Sequence, residues 1–218
     1  MKAIEIRNLT KIIKGKVILD NINLELEAGK IYGFYGRNGS GKTMLFKAIC
    51  GLIKPTSGEV IVFGKKIGKD ISFPESVGVI IESVDLWEDL TGFQNLKLLA
   101  SIKNIVNDDE IKNAIKRVGL DPEDKRPYKK YSVGMKQRLK IAQAIMEKPK
   151  LIVLDEPTNS LDEDGVKLVR QILLEERERG ATILLASHIK EDINLLCDYK
   201  FKVDAGKVLH SEDERKDE

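Results

Sequence analysis

Cysteine is scarce in this chain: only Cys50 and Cys197 occur in 218 residues, far apart and without the spacing of metal ligands. A disulfide framework and a Cys-rich metal site are thereby excluded, and a reduced, cytosolic setting is favoured. No run of 18 apolar residues occurs either, so no helix that crosses a membrane is expected. Charge of one sign is not in excess. The 37 Lys and Arg stand against 35 Asp and Glu, interleaved throughout, for a net charge of +2. That balance argues against a broad nucleic-acid-binding face, and no nucleic-acid partner is expected. The opening residues Met1-Lys2-Ala3-Ile4-Glu5-Ile6-Arg7 alternate charged and apolar side chains as a strand does, unlike a secretion signal. A chain of this size buries roughly 70% of its unfolded surface. It needs no staple, and one large domain with a subdomain is expected.

What is present is an alternation of strand and helix signals broken by one helical stretch. Residues 2 to 9 and 16 to 27 read as strands around a turn at Lys14-Gly15. A strand from Ile31 feeds a glycine-rich turn and a helix. Strands Glu59 to Phe63 and Val77 to Ile81 follow. From Ser83 to Lys148 helical spacing dominates, with helices expected over Gly92 to Lys103, Asp109 to Val118 and Ser132 to Lys148. Leu151-Ile152-Val153-Leu154 then reads as a parallel strand buried on both faces. A helix from Glu163 to about Arg179, a strand Thr182 to Ala186, a short helix Lys190 to Leu196 and a hairpin through Asp204-Ala205-Gly206 complete the order. The tail from Ser211 to Glu218 is almost wholly charged and is expected to fray.

Chemistry concentrates at Gly36-Arg37-Asn38-Gly39-Ser40-Gly41-Lys42-Thr43, which fits the phosphate-binding pattern G-x-x-x-x-G-K-[S/T]. Glycines let the backbone wrap closely enough for its N–H groups to converge on phosphate oxygens. Lys42 would bridge the β- and γ-phosphates, Thr43 would offer a hydroxyl to Mg²⁺, and the helix start would point its positive end at the anion. With Gly near 7% of ordinary sequence, four such fixed positions arise by chance in roughly one chain of this length in a hundred. A plain glycine-rich turn is the alternative, and the strand before with the apolar helix after weighs against it. Asp155 ends an apolar strand, so its carboxylate emerges at the carboxyl edge of the sheet, placed to hold Mg²⁺. Glu156 follows and would accept a proton from an attacking water. The beginning of an ordinary loop is the other reading of that pair. Ser132 caps a helix whose start forms a second anion site. Because the first loop already uses one face of the nucleotide, a phosphate held by both would be shared between two chains.

In order and spacing these residues resemble the ATP-binding subunits of ABC transporters, and the resemblance covers the whole chain. Gly36 to Thr43 resembles the Walker A loop, Ser132-Val133-Gly134-Met135-Lys136 the signature, and Leu151 to Glu156 the Walker B strand. Ser160-Leu161-Asp162 resembles the dimer-contacting D-loop, and His188 stands where the family's switch histidine stands. The resemblance implies an α/β P-loop NTPase core with a mostly parallel sheet, an N-terminal antiparallel β subdomain and an inserted helical subdomain. The expected division is core and β subdomain over 1–82 and 149–211, helical subdomain over 83–148 and tail over 212–218. It also implies a head-to-tail homodimer or heterodimer, two ATP held between Lys42 of one chain and Ser132 with Gly134 of the other, and a separate integral membrane permease. Glu156 is then the base and His188 contacts the γ-phosphate. The chain would lie in the cytoplasm, on the inner face of the cell membrane, and hydrolyse ATP to drive transport.

Three departures from the family pattern carry information. Glu82 replaces the usual Gln that offers an oxygen to Mg²⁺. With the altered signature, this resembles the bacitracin and lantibiotic self-protection branch, so export is the expected direction. Leu86, Trp87, Leu90 and Phe93 read either as subdomain core or as a groove for a cytoplasmic helix of the permease. Two rival functions stay open: a non-transport ABC ATPase in a soluble complex such as cofactor assembly, and a P-loop kinase, which would lack the Ser132 to Lys136 segment. Ile13 stands where relatives place an aromatic residue on the adenine, a contact worth about 1–3 kcal/mol in comparable stacking sites. Weak base discrimination is therefore expected. GTP should compete with ATP better in the native chain than in Ile13→Tyr, measured by nucleotide competition, and equal competition in both would contradict this.

Overall fold

Two successive left-handed residues, Lys14 (φ 48°) and Gly15 (φ 78°), reverse the chain between β1 (Lys2–Ile13) and β2 (Lys16–Glu27). That is the geometry whose twist matches paired strands. The same device, at Phe63 (φ 47°) and Gly64 (φ 78°), joins β4 (Ser57–Val62) to the two-residue β5 (Lys65–Lys66). The structure is a computed structural model describing residues 1–82 and 85–210. The expected start of the helical stretch at Ser83 and the charged tail lie outside the described residues. Two units emerge, Met1–Glu75 with the chain from Thr182 onward, and Ser76–Ala181.

In the first unit an antiparallel sheet runs in the order β2-β1-β4-β5. β1 continues past residue 9, where the sequence reading ended it. The reason is a change of phase: Ile4 and Ile6 face the core on even positions and Leu9 on an odd one, and the β1–β2 register shifts between Ile6 and Leu9. Asn8 and Asn21 absorb the irregularity with φ of 50° and 48°. The Asn8 amide donates to Asn23 Oδ1 at 2.9 Å and the Asn21 amide to Thr10 Oγ1 at 3.1 Å, so the bulge leaves neither amide unmet. Beside it, β3 (Ile31–Tyr35) lies parallel to both β8 (Thr182–Ala186) and β9 (Tyr199–Asp204). A third left-handed pair, Ala205 and Gly206, turns β9 into β10 (Lys207–His210). Helices α1 (Lys42–Ile49) and α6 (Lys190–Leu196) belong here too. Phe34 stacks on Phe201 at 5.2 Å and meets Phe46 of α1 edge-on at 5.3 Å. That fixes the helix following the phosphate loop against the strand preceding it. Gly33 has a packing cause: a Cβ there would stand 2.6 Å from Cys197 Sγ. Burial pushes both thiols, Cys50 and Cys197, up to about 12, which suits packing and disfavours reactive chemistry.

In the second unit β6 (Val77–Ile80) and β7 (Leu151–Asp155) pair in parallel, with helices α2 (Gly92–Ala100), α3 (Asp108–Arg117), α4 (Val133–Ile145) and α5 (Glu163–Glu178) and a 3-10 turn at Tyr128–Lys130. Each helix begins on a side-chain cap. Thr91 with Gln94 and Asn107 with Glu110 form reciprocal capping boxes, Ser132 caps α4 and Asp162 caps α5. Glu176, only 2% exposed, binds Arg117 of α3 at 2.7 Å and Arg179 at 2.6 Å. Arg179 also donates to the carbonyls of Lys148 and Pro149, tying the exit of α4 and the entry of β7 to the end of α5. No helix among the described residues is long and apolar enough to cross a membrane. α4 crosses β6 so closely that a Cβ on Gly78 would stand 1.8 Å from the Ala144 carbonyl oxygen. Neither backbone can yield cheaply. Gly78→Ala is expected to cost about 1–3 kcal/mol of stability, the range for overpacked interiors, measured by urea unfolding.

Candidate functional site

Parallel pairing decides where the first unit's candidate residues emerge. β3 and β8 are in register with Phe34 opposite Ala186, so Gly36 and His188 each leave the sheet two residues beyond a matched pair. They share one edge. The Ser187 amide donates to the Phe34 carbonyl at 3.3 Å, continuing the ladder to that point. From Gly36 the loop is shaped by backbone that side chains resist, with φ of 155° at Gly36, 78° at Gly39 and 114° at Gly41. Gly36 also passes the Val203 carbonyl so closely that a Cβ would stand 2.1 Å from its oxygen. Gly41 caps α1 from the left-handed region, and α1 carries no acidic residue in its first turn. The first turn of α3, by contrast, carries Asp108, Asp109 and Glu110. The positive end of α1 is thus left to an anion from elsewhere.

Two polar side chains are enclosed by this loop. Lys42 is 6% exposed, and its Nζ donates to the Gly36 and Arg37 carbonyls at 2.8 and 3.3 Å. Ser40 is equally buried, and its Oγ has no hydrogen-bond partner among the described residues. A buried hydroxyl without a partner costs free energy unless a ligand satisfies it. A glycine-shaped loop, a buried ammonium and an orphaned hydroxyl at a helix start fit a phosphate group. Arg37, Asn38 and Gly39 are exposed along the loop rim, and Thr43 sits half-buried in the first turn of α1. The loop is anchored where the Gly206 amide donates to the Ser40 carbonyl at 2.8 Å, and Gly206 in turn accepts from the Asp20 amide at 2.9 Å. β2 flanks it closely, since a Cβ on Gly41 would stand 3.2 Å from the Ile18 carbonyl oxygen. Ile13, 40% exposed, belongs to the hairpin that ends at this flank.

His188 is exposed, while the residue before it is wholly buried. Ser187 Oγ accepts from the Ile189 amide at 3.0 Å and lies 3.5 Å from the carboxylate of Asp192, itself 0% exposed. Sequence reading missed Asp192 because an acidic residue in the first turn of a helix looks like ordinary dipole compensation.

In the second unit the same rule acts on carboxylates. β6 and β7 pair with Ile80 opposite Leu154, so Glu82 and Glu156 each come two residues past a matched pair. Both adopt left-handed backbone, φ 59° and 54°, a conformation that non-glycine residues hold under constraint. Asp155 ends β7, half-buried. Among the described residues no group of three or more His, Cys, Asp and Glu side chains is arranged to hold a metal. The N-terminus of α4 is exposed at Ser132 and at Val133, which is 67% exposed, and Ser132 Oγ accepts the Met135 amide at 3.1 Å. Gly134 lies over the loop after β7, where a Cβ would stand 3.4 Å from the Ser160 carbonyl oxygen.

The segment after Glu82 divides between the two readings open for it. Trp87 is 51% exposed, whereas Leu86, Leu90 and Phe93 are half-buried, with Lys97 and Lys112 over the Phe93 ring at 5.7 and 5.6 Å. Asn95, wholly buried in α2, organises the segment. Its Oδ1 accepts from the Trp87 amide at 2.8 Å and its Nδ2 donates to the carbonyls of Trp87, Leu90 and Thr91 at 3.0 to 3.3 Å. The one signal for Asn95 in the sequence is a polar residue on the buried side of an apolar helix. Asp85 joins the segment to α4 through Lys140 at 2.9 Å, and that hydrogen bond holds its carboxyl below the usual range.

The chain is similar to known proteins over most of its length. The ABC transporter family model matches residues 19–159, more than half of the chain. An uncharacterized ABC transporter ATP-binding protein of Bacillus subtilis, YybJ, is 53% identical over 96% of both chains. The lantibiotic transport ATP-binding protein SrtF of Streptococcus pyogenes is 37% identical over 94% of this chain and 89% of its own length. The bacitracin transport ATP-binding protein BcrA of Enterococcus faecalis is 41% identical over 90% of this chain and 64% of its own. Among solved structures, the dimeric bacterial ABC transporter cassette MJ0796 superposes with a TM-score of 0.85 at 24% identity, over 94% of this chain and 96% of that one. An α/β P-loop NTPase fold, a phosphate loop and these relatives together place the chain in the ABC transporter family, among its ATP-binding proteins.

Proposed function

We propose that the chain is the ATP-hydrolysing subunit of an exporter, working as a head-to-tail pair on a separate integral membrane permease. The observation that carries the nucleotide reading is the loop Gly36 to Thr43, with Lys42 buried across it and the orphaned Ser40 Oγ beneath. In this reading the loop amides and Lys42 bind the phosphates of ATP, and Ile13 gives the base an apolar contact. Thr43, Asp155 and Glu82 would hold Mg²⁺, which supplies positive charge against the β- and γ-phosphates. Glu156 takes the proton of the attacking water. His188, leaving the sheet beside Gly36, contacts the γ-phosphate. Ser132 and Gly134 close over the nucleotide of the partner chain. Their place at an exposed helix start supports that role, since the α4 amides that the Ser132 cap does not take can face an anion.

The names of the relatives, which are bacitracin and lantibiotic transport proteins, support transport, and export rests on Glu82. A carboxylate serves Mg²⁺ as an amide oxygen does. The carboxylate's own negative charge would repel inorganic phosphate, favouring its release after hydrolysis. The 51% exposed Trp87, held on a loop tied by Asn95, supports a docking place for the permease next to Glu82. Attachment to that permease would keep the chain on the cytoplasmic face of the membrane.

The test is Glu156→Gln. It keeps the shape of the side chain and removes the base, so ATP binding and ATP-dependent pairing are expected to persist. Phosphate release should fall by about 10²–10⁴, the usual contribution of a general base. Phosphate-release kinetics and light scattering with ATP check both halves. Undiminished turnover would remove Glu156 from the role.

A further inference from the structure

Gln137 lies in the second turn of α4, and its Nε2 donates to the Pro157 carbonyl at 2.9 Å. A carbonyl only accepts, so the amide end of the side chain is fixed by its partner. Pro157 directly follows Glu156, and the loop from there to Asp162 is made of tight turns. The Asn159 amide donates to the Glu156 carbonyl and the Leu161 amide to the Thr158 carbonyl, each at 3.3 Å. Two of its residues, Glu156 (φ 54°) and Ser160 (φ 66°), stand in the left-handed region. Backbone of that kind persists where its surroundings over-determine it. α4 meets the loop twice from one helix end: Gln137 grips it at Pro157, and Gly134 packs over it at Ser160. Pro157 has no backbone N–H, so its carbonyl is its one polar link to the rest of the loop's setting.

We infer that Gln137 is a positioning residue for Glu156, coupling the two nucleotide sites of the pair. The inference rests on the shared-site reading above. In that reading Ser132 and Gly134 face the partner chain's nucleotide, while Glu156 serves the nucleotide bound by its own chain. Gln137 joins the two within one chain: a shift of the α4 N-terminus on closing over one nucleotide reaches, through one hydrogen bond, the carbonyl next to the base acting on the other. Gln137 itself touches no phosphate. Its contribution appears in hydrolysis and in the cooperativity between sites, and not in ATP binding or pairing.

The full chain tests this with Gln137→Met, which keeps the length of the side chain and loses the donor, and Gln137→Lys, which restores an N–H donor. Gln137→Met is expected to lower kcat roughly tenfold to a hundredfold, as small misplacements of catalytic groups do, with KM unchanged and a Hill coefficient for ATP falling to one. Gln137→Lys should recover most of kcat. Placed in the Glu156→Gln chain, Gln137→Met should pair on ATP as the single variant does, which also shows that it folds. Unchanged kcat in Gln137→Met, equal loss in Gln137→Lys, or loss of ATP-dependent pairing would each overturn the inference. If Glu156→Gln alone fails to pair on ATP, the shared-site reading falls first and takes the inference with it.

Discussion

Parallel pairing of short buried strands is the constraint on which the rest of the structure depends. In a parallel pair, residues that follow matched positions leave the sheet at one edge, so register alone brings together groups distant in sequence. In the first unit this rule has His188 and Gly36 leave the sheet at one edge, and in the second it does the same for Glu82 and Glu156. β3, β7 and β8 are apolar and buried along nearly their whole length, which fixes the register by packing and leaves the chemistry to begin where the strands stop. The first residues past the strands are then bent sharply, by glycine at Gly36 and by left-handed backbone at Glu82 and Glu156.

Close approach of the backbone to its neighbours is the second requirement, and glycines at three strand or loop positions answer it. Gly33 faces Cys197, Gly36 faces the Val203 carbonyl and Gly78 faces the Ala144 carbonyl, each within a distance that no Cβ tolerates. Charge has a different task. The interleaved Lys, Arg, Asp and Glu form mostly exposed pairs, each contributing little. Glu176 with Arg117 and Arg179 is buried by contrast, and it holds the joint through which β7 is entered.

Much of this was legible in the chain. The phosphate loop, the apolar strands and most helix starts rest on local patterns, and the helix Lys190–Leu196 and the strand Thr182–Ala186 fall where the sequence reading put them. β1 outran its expected end because the bulge at Asn8 changes which parity faces the core, and a reading by alternation stops at the first break. Asn95, Gln137 and Asp192 stayed hidden for another reason. Each acts through a hydrogen bond to a backbone or side chain that only the folded chain brings near, and an amide or carboxylate on a helix is too common to announce that. The proposal of a site shared between two chains comes from redundancy: one chain carries two helix starts suited to an anion, Gly41-Lys42 and Ser132-Val133.

That redundancy gives the most direct test. Asn38 on the rim of the phosphate loop and Val133 at the start of α4 are both exposed, while Cys50 is buried and Cys197 mostly so. A Glu156→Gln chain carrying Asn38→Cys and Val133→Cys can be oxidised with and without ATP and its disulfides mapped. A nucleotide shared between two chains predicts a covalent dimer, formed with ATP and linking position 38 of one chain to position 133 of the other. Monomer alone, or the same yield of dimer without nucleotide, would contradict it.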